Sequence, residues 1–359
     1  MERKYRMIGI DLLRLITMYM IVLYHILNHG GVRNGVAFGG GQFTIVWAME
    51  VILSCSVNIY ALISGYVGYT RTELRIPKFI MLWIQVFFYS ILFYLLISLR
   101  TNMFSIKELI KVCLPITTTQ YWYFTAYTGV YFVAPGINWL IGKMEKYEVK
   151  KAFWCFGSVF LLYLPLTGIL YDPFKIEGGY SFAWLTILYT LGAFMRRLNL
   201  VERISGKKAM ICLTSCWLIA FMTKILIPSQ NIFINYTSIT SIGISTMLII
   251  IFSKIKFNSE NRMGKFIRTM ASATFGVYLI HDNDWIRRTL ITDKFKWLAE
   301  LVPWKIVVLV CGIGFIVFCL SLCIELMRSK IFAALKIETK INMLLNVKTN
   351  IEKGMRKVK

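Results

Sequence analysis

Apolar runs of about 18 residues or more recur from one end of the chain to the other, each long enough to cross the roughly 30 Å hydrocarbon core of a bilayer. Ten such runs fall near residues 7–27, 43–69, 77–99, 121–141, 151–171, 182–198, 208–228, 231–253, 269–286 and 303–327. Of the 359 residues, 57% are hydrophobic and only 16% are charged, against about 25% charged in a soluble domain. The sequence therefore predicts an all-α polytopic membrane protein with ten transmembrane helices. A water-soluble core of this size does not fit such a pattern.

The formal net charge of +23 raises the question of a nucleic-acid partner. Its distribution answers it. With the N-terminus placed in the cytoplasm, Lys and Arg are roughly threefold more numerous in the inner segments than in the outer loops, which is the positive-inside bias. The basic charge is thus mainly topological, and it predicts cytoplasmic N- and C-termini, a multi-pass cell-membrane location and no nucleic-acid partner. The opening "MERKYRM" imitates a signal peptide, but the run that follows holds Asp11 and Arg14 and has no A-x-A cleavage site, so it reads as a retained first span. The eight cysteines lie in or beside apolar segments without the spacing of a disulfide framework or a zinc ribbon.

No linker rich in Pro or Ser divides the chain, and no internal repeat recurs at a fixed period. The expected organisation is one membrane domain over residues 1–327 and a basic cytoplasmic tail over 328–359 resting on anionic lipid. The glycine-rich "HGGVRNGVAFGGGQ" reads as a mobile outer loop, and "NMFSIKELIKVCLPITTTQ" as a short amphipathic surface helix. The chemistry is expected to belong to the membrane bundle itself.

The first run, "IGIDLLRLITMYMIVLYHILNHGG", carries three ionisable residues at membrane depth: Asp11, Arg14 and His25. Each costs a few kcal/mol by insertion scales. Arg14 and His25 are eleven residues apart, so on a helix they project within about 20° of one another and about 16 Å apart along the axis. Asp11 lies one turn from Arg14, within pairing reach. The stripe predicts a face turned to a cavity or a polar partner. Alternatively, Asp11 and Arg14 neutralise each other and pin helix packing. Of the chain's three histidines, His25, His29 and His281, two end apolar spans on the inferred outer side, where an imidazole can act as a general base. His25 and His29 have i, i+4 spacing that suits a metal, but no H-E-x-x-H motif accompanies them. No metal is expected.

The motifs, taken in order, resemble an integral-membrane acyltransferase of the acyltransferase-3 family. The first helix matches its "IDLLR…H" pattern through Arg14 and His25. "VNIYALISGY", with Ser64 and Tyr66, resembles its second span, and "RTELRIPKF", with Arg71 and Arg75, its basic motif. "QYWYFTAYTGVYFVAPGIN", with Trp122 and Tyr123, and "TFGVYLIHDN", with His281 and Asp282, resemble its fourth and late segments. The resemblance implies transfer of an acyl group, usually acetyl from acetyl-CoA, to a hydroxyl of a carbohydrate or lipid-linked glycan, with no bound cofactor. Acetyl-CoA, the glycan acceptor and membrane lipid are the implied partners. On this reading Arg71 and Arg75 meet the donor's phosphates, and the distance from Arg14 to His25 matches the length of its pantetheine arm. His25 then either deprotonates the acceptor, the preferred role, or carries the acetyl group itself, with Arg14 and Asp11 beside it in the catalytic set. Ser64, Tyr66, Trp122, Tyr123, His281 and Asp282 line the site or hold the acceptor.

Each assignment has a plainer counterpart. Ser64-Gly65 suits close helix packing better than a nucleophile elbow. Arg71 and Arg75 also serve as topology anchors, and Trp122 and its tyrosines as an interfacial belt. Asp282 and Asp284 also serve to solvate a span end. Two rival functions remain at this level. One is a transporter or flippase of a lipid-linked sugar using Asp11, Arg14 and His25 as a relay, although the repeats of such proteins are absent. The other is a non-catalytic partner of an envelope-assembly complex.

Overall fold

A computed structural model describes residues 7–102, 104–167, 172, 174–256 and 258–345. Those residues form helices and connecting turns, with no strand among them. The first half holds α1 (Ile8–Asn28), α2 (Gly41–Leu53), α3 (Ser56–Gly68), α4 (Ile76–Thr101), α5 (Ile106–Cys113), α6 (Trp122–Lys143) and α7 (Lys146–Thr167). The second half holds α8 (Phe182–Arg197), α9 (Gly206–Leu226), α10 (Ile239–Ser253), α11 (Arg262–Ser272), α12 (Thr274–His281) and α13 (Pro303–Ala334). Five stretches among the described residues are long and apolar enough to cross a membrane: Ile8–Gly35, Gly41–Gly68, Ile76–Thr101, Gly206–Leu226 and Pro303–Ala334.

A helix occupies each of the ten expected positions, but two expected spans are altered. The run at 231–253 starts its helix late, because the Ser238 Oγ caps α10 by accepting from the Ser241 N–H at 3.2 Å. At 1.5 Å per residue, α10 is about 22 Å long, short of the hydrocarbon core. The run at 269–286 is not one helix. It breaks at Ala273 and again after His281, leaving the end of α11, the eight residues of α12, and a single turn Asp284–Ile286 capped by Asn283. The end of the expected 151–171 span, at 168–171, lies outside the described residues, as do 1–6 and 346–359 of the tail. In place of a tail beginning at Arg328, α13 continues unbroken to Ala334.

Two local expectations also meet the structure. The surface helix appears as α5, with the Ser105 Oγ accepting from the Glu108 N–H. The first half of the glycine-rich segment is pinned, not mobile. The carbonyls of His29 and Gly30 accept from Asp293 and Phe295 at 2.9 and 3.0 Å, and Val32 is fully buried. All eight cysteines are free thiols.

Helix α1 is the hub of the bundle, packed against α2, α3, α10, α11, α12 and α13. In a bilayer there is little hydrophobic gain from joining helices, so close backbone approach and dispersion hold them together. The α3–α8 crossing shows how. A Cβ on Gly65 would overlap the Tyr189 carbonyl, and one on Gly192 would overlap that of Leu62. This is the packing role expected of Ser64-Gly65. Gly136, on α6, has nothing near where its Cβ would stand. Gly65→Ala is therefore expected to destabilise by roughly 1–3 kcal/mol, the usual cost of overpacking, and Gly136→Ala to leave stability unchanged. Thermal unfolding in detergent reads both; equal melting temperatures for the two variants would remove the α3–α8 contact as a determinant.

Candidate functional site

His25 closes the last turn of α1 with its Nδ1 aimed at the carboxylate of Asp282, 3.6 Å away, at the end of α12. No hydrogen bond reaches that Nδ1 among the described residues. The rings of His29 and His281 lie 4.9 and 5.1 Å from that of His25, centre to centre. Asp282 is also held from the other side, by Arg287 at 3.0 Å, and Arg287 reaches Asp284 at 2.9 Å. The break after His281 is itself fixed. Asn283 donates to the Tyr121 hydroxyl at 2.7 Å, and Tyr121 donates to the Leu279 carbonyl at 2.9 Å. The His281 Nδ1 sits 2.6 Å from the Val277 carbonyl, so that nitrogen carries the proton and donates. Its Nε2 is buried without a hydrogen-bond partner among the described residues.

His25 and Asp282 face a cavity of about 570 Å³ with an aromatic wall. Trp122, Tyr123, Tyr127 and Tyr278 contribute to it, and the Tyr278 hydroxyl makes no hydrogen bond among the described residues. The rings of Tyr123 and Tyr127 stack 6.0 Å apart. Away from His25, the wall ends at Ser64 and Tyr127, which also line a second cavity of about 100 Å³. That cavity is basic: Arg71, Arg75 and Lys78 line it against a single acid, Glu73. The turn that carries these residues is tied to α6. Asn138 donates to the carbonyls of Gly68 and Arg71 at 3.1 and 2.7 Å, and Tyr131 donates to that of Arg75 at 2.9 Å. Two cavities thus abut at Ser64 and Tyr127, one with a basic lining and the other holding the His25–Asp282 pair.

The structure brings His25, Ser64, Trp122, Tyr123 and Asp282 together on one cavity, with Arg71 and Arg75 at its far mouth. It does not bring Asp11 and Arg14 there. They pair with each other at 2.7 Å, and neither lines either cavity, so the expected single polar stripe divides in two. The link from Arg14 to the cavity is its carbonyl, which accepts from the Tyr60 hydroxyl at 2.8 Å. Ser64 donates its hydroxyl to the Tyr60 carbonyl at 2.9 Å. Tyr66 lies behind the wall, its hydroxyl accepting from Arg196 at 3.2 Å. His281 backs His25 without reaching the cavity. Sequence reasoning missed Asn138, Tyr278, Arg287 and Glu50. Glu50 carried a usable signal, being an acid inside the apolar "WAMEVIL".

His25, His29 and Asp282 each offer a donor atom within 4.8 Å of the others, so ligand type alone would allow a metal. The Arg287 guanidinium 3.0 Å from the Asp282 Oδ1 argues against it. A fixed positive charge already claims the one carboxylate of the set, and a divalent cation would have to displace it. Zinc is accordingly expected to leave the melting temperature of the purified protein unchanged, and a chelator likewise. A saturable rise with zinc that Asp282→Asn abolishes would contradict this.

No curated protein and no solved structure matches the chain. The family model described as an acyltransferase domain, acyltransferase-3, matches residues 7–333. That interval runs from the start of α1 to the end of α13 and contains every residue of the linked cavities. The chain belongs to the acyltransferase-3 family.

Proposed function

We propose that the protein is a multi-pass membrane O-acetyltransferase that carries an acetyl group from cytoplasmic acetyl-CoA to a hydroxyl of an extracytoplasmic or lipid-linked glycan. Ten crossings would set both termini and the Arg71–Arg75 turn on the donor side, with His25 towards the other. The observation that carries the reading is the pair of cavities meeting at Ser64 and Tyr127. A long donor with an anionic head and a reactive thioester tail suits a basic mouth, a narrow passage and a histidine beyond it. The family assignment favours acyl transfer over the transporter alternative.

In the mechanism, the Asp282 carboxylate 3.6 Å from the His25 Nδ1 favours the proton on that nitrogen, which leaves Nε2 to take the proton from the acceptor hydroxyl. The alkoxide attacks the thioester carbonyl, forming a C–O bond and a tetrahedral oxyanion. That oxyanion requires a hydrogen-bond donor on the cavity wall, to which Tyr278 contributes. Collapse breaks the C–S bond, and the His25 imidazolium returns its proton to the departing thiolate. Asp11 and Arg14 neutralise each other within α1, and the Tyr60 hydroxyl ties α3 to the backbone carbonyl of Arg14. They take no proton.

Two substitutions test the assignment. His25→Ala is expected to lower kcat by about 10²- to 10⁴-fold, the usual share of a general base, in transfer of labelled acetyl from acetyl-CoA at matched membrane levels. Undiminished transfer would refute the mechanism. Asn138→Ala frees the carbonyls of Gly68 and Arg71, and is expected to raise the KM for acetyl-CoA several-fold while sparing kcat, as loss of uniform binding does. A fall in kcat with unchanged KM would place the donor elsewhere.

A further inference from the structure

Beyond the His25 cavity lies a third one, of about 320 Å³. Tyr24, Arg33, Tyr180 and Tyr236 line both, so the two adjoin. The character of the wall changes across that boundary. The farther space is faced by Arg33, Lys224 and Glu50, by Asn231 and Asn235, and by the ring of Trp47.

Lys224 is the unusual member. It ends an apolar helix, α9, yet its side chain turns inward and is 5% exposed. Its ammonium stands 4.1 Å above the Trp47 ring and donates to the Pro228 carbonyl and to the Asn231 Oδ1, at 2.5 and 2.8 Å. No carboxylate pairs with it among the described residues. Glu50 is taken by Arg33 at 3.0 Å and by Asn28 at 2.8 Å, both through Oε1. The Glu50 Oε2 is buried with no hydrogen-bond partner. The titratable groups facing this space are thus two cations, one anion and the neutral hydroxyls of Tyr24, Tyr180 and Tyr236, leaving one positive charge uncompensated. Burying such a charge is costly unless it meets an anion.

Resting on the acetyl-transfer reading, we propose that this vestibule holds the acidic group of the acceptor, so that the acceptor is an anionic saccharide. A carboxylate or phosphate would sit between Lys224 and the free N–H groups of Arg33. The Trp47 and Tyr236 rings would carry the apolar face of the sugar, leaving the next residue of the glycan at the boundary with the His25 cavity. The site would thereby set specificity by charge, away from the reacting atoms.

The test uses the full chain in lipid nanodiscs without donor. Tryptophan fluorescence is titrated with three probes: a glucuronate-containing disaccharide, a phosphodiester-linked disaccharide and their neutral glucose counterpart. One acidic probe is expected to bind at least about tenfold more tightly than the neutral one, the worth of a single charge-assisted contact. The acid that wins identifies the source of the charge. Lys224→Gln is expected to erase the preference and leave neutral binding unaltered. If that variant does not fold, the comparison on the native chain decides alone. Equal affinity for all three probes overturns the proposal, as does a preference that survives in folded Lys224→Gln. Acetyl transfer measured in parallel separates the two readings. Transfer without an acid preference overturns the vestibule alone, whereas an acid preference without transfer upholds the vestibule and overturns the transfer reading.

Discussion

Lipid offers no hydrogen bond to the imidazole of His25 or the carboxylate of Asp282, so the bundle has to close around both. Much of the architecture follows from that requirement. The two residues come from opposite ends of the chain, one from the end of α1 and one from the end of α12. A continuous helix through 269–286 would have run past this level. The break after His281 instead ends α12 beside α1 and lets Arg287 turn back onto Asp282. Tyr121 and Asn283 hold the break open by satisfying the Leu279 carbonyl and each other. The hub position of α1 is the same requirement seen from the other partner: a helix with a polar side chain at this depth needs neighbours on every side that lipid would otherwise reach.

The helices and the importance of α1 were legible in the sequence, because length, hydropathy and a 3.6-residue period are local properties. What a polar residue meets is not local. Spacing put Asp11, Arg14 and His25 on one face, and so they are, but the neighbours of that face change along the helix. At its start the face meets α3 through Tyr60, where Asp11 and Arg14 neutralise each other; at its end it meets the cavity. Nothing within "IDLLR…H" separates those two levels. Likewise Trp122 and Tyr123 suited an interfacial belt by composition, and the fold turned them inward to wall the cavity.

Single polar residues inside apolar runs carry the most information about the site. His25 stands out by its rarity. Glu50, in a run just as apolar, obeys the same rule, and an acid there marks a polar partner. Asn138 could not have been found this way: an asparagine near a helix end is ordinary, and its part in holding the Arg71 turn appears only when α6 is set against it. Tyr278 is one tyrosine among 19, and only the fold sets it on the cavity wall beside Tyr123.

The meeting of two cavities at Ser64 and Tyr127 has a consequence for permeability. Two abutting cavities keep only a shared wall between them, and a membrane potential would drive protons and small cations through any continuous file of water across it. The rings of Tyr123 and Tyr127 stack there, and the Ser64 hydroxyl is turned back onto its own helix. If the two cavities open on opposite membrane faces, that aromatic wall must also act as the electrical seal, and a smaller side chain at Tyr127 would weaken it.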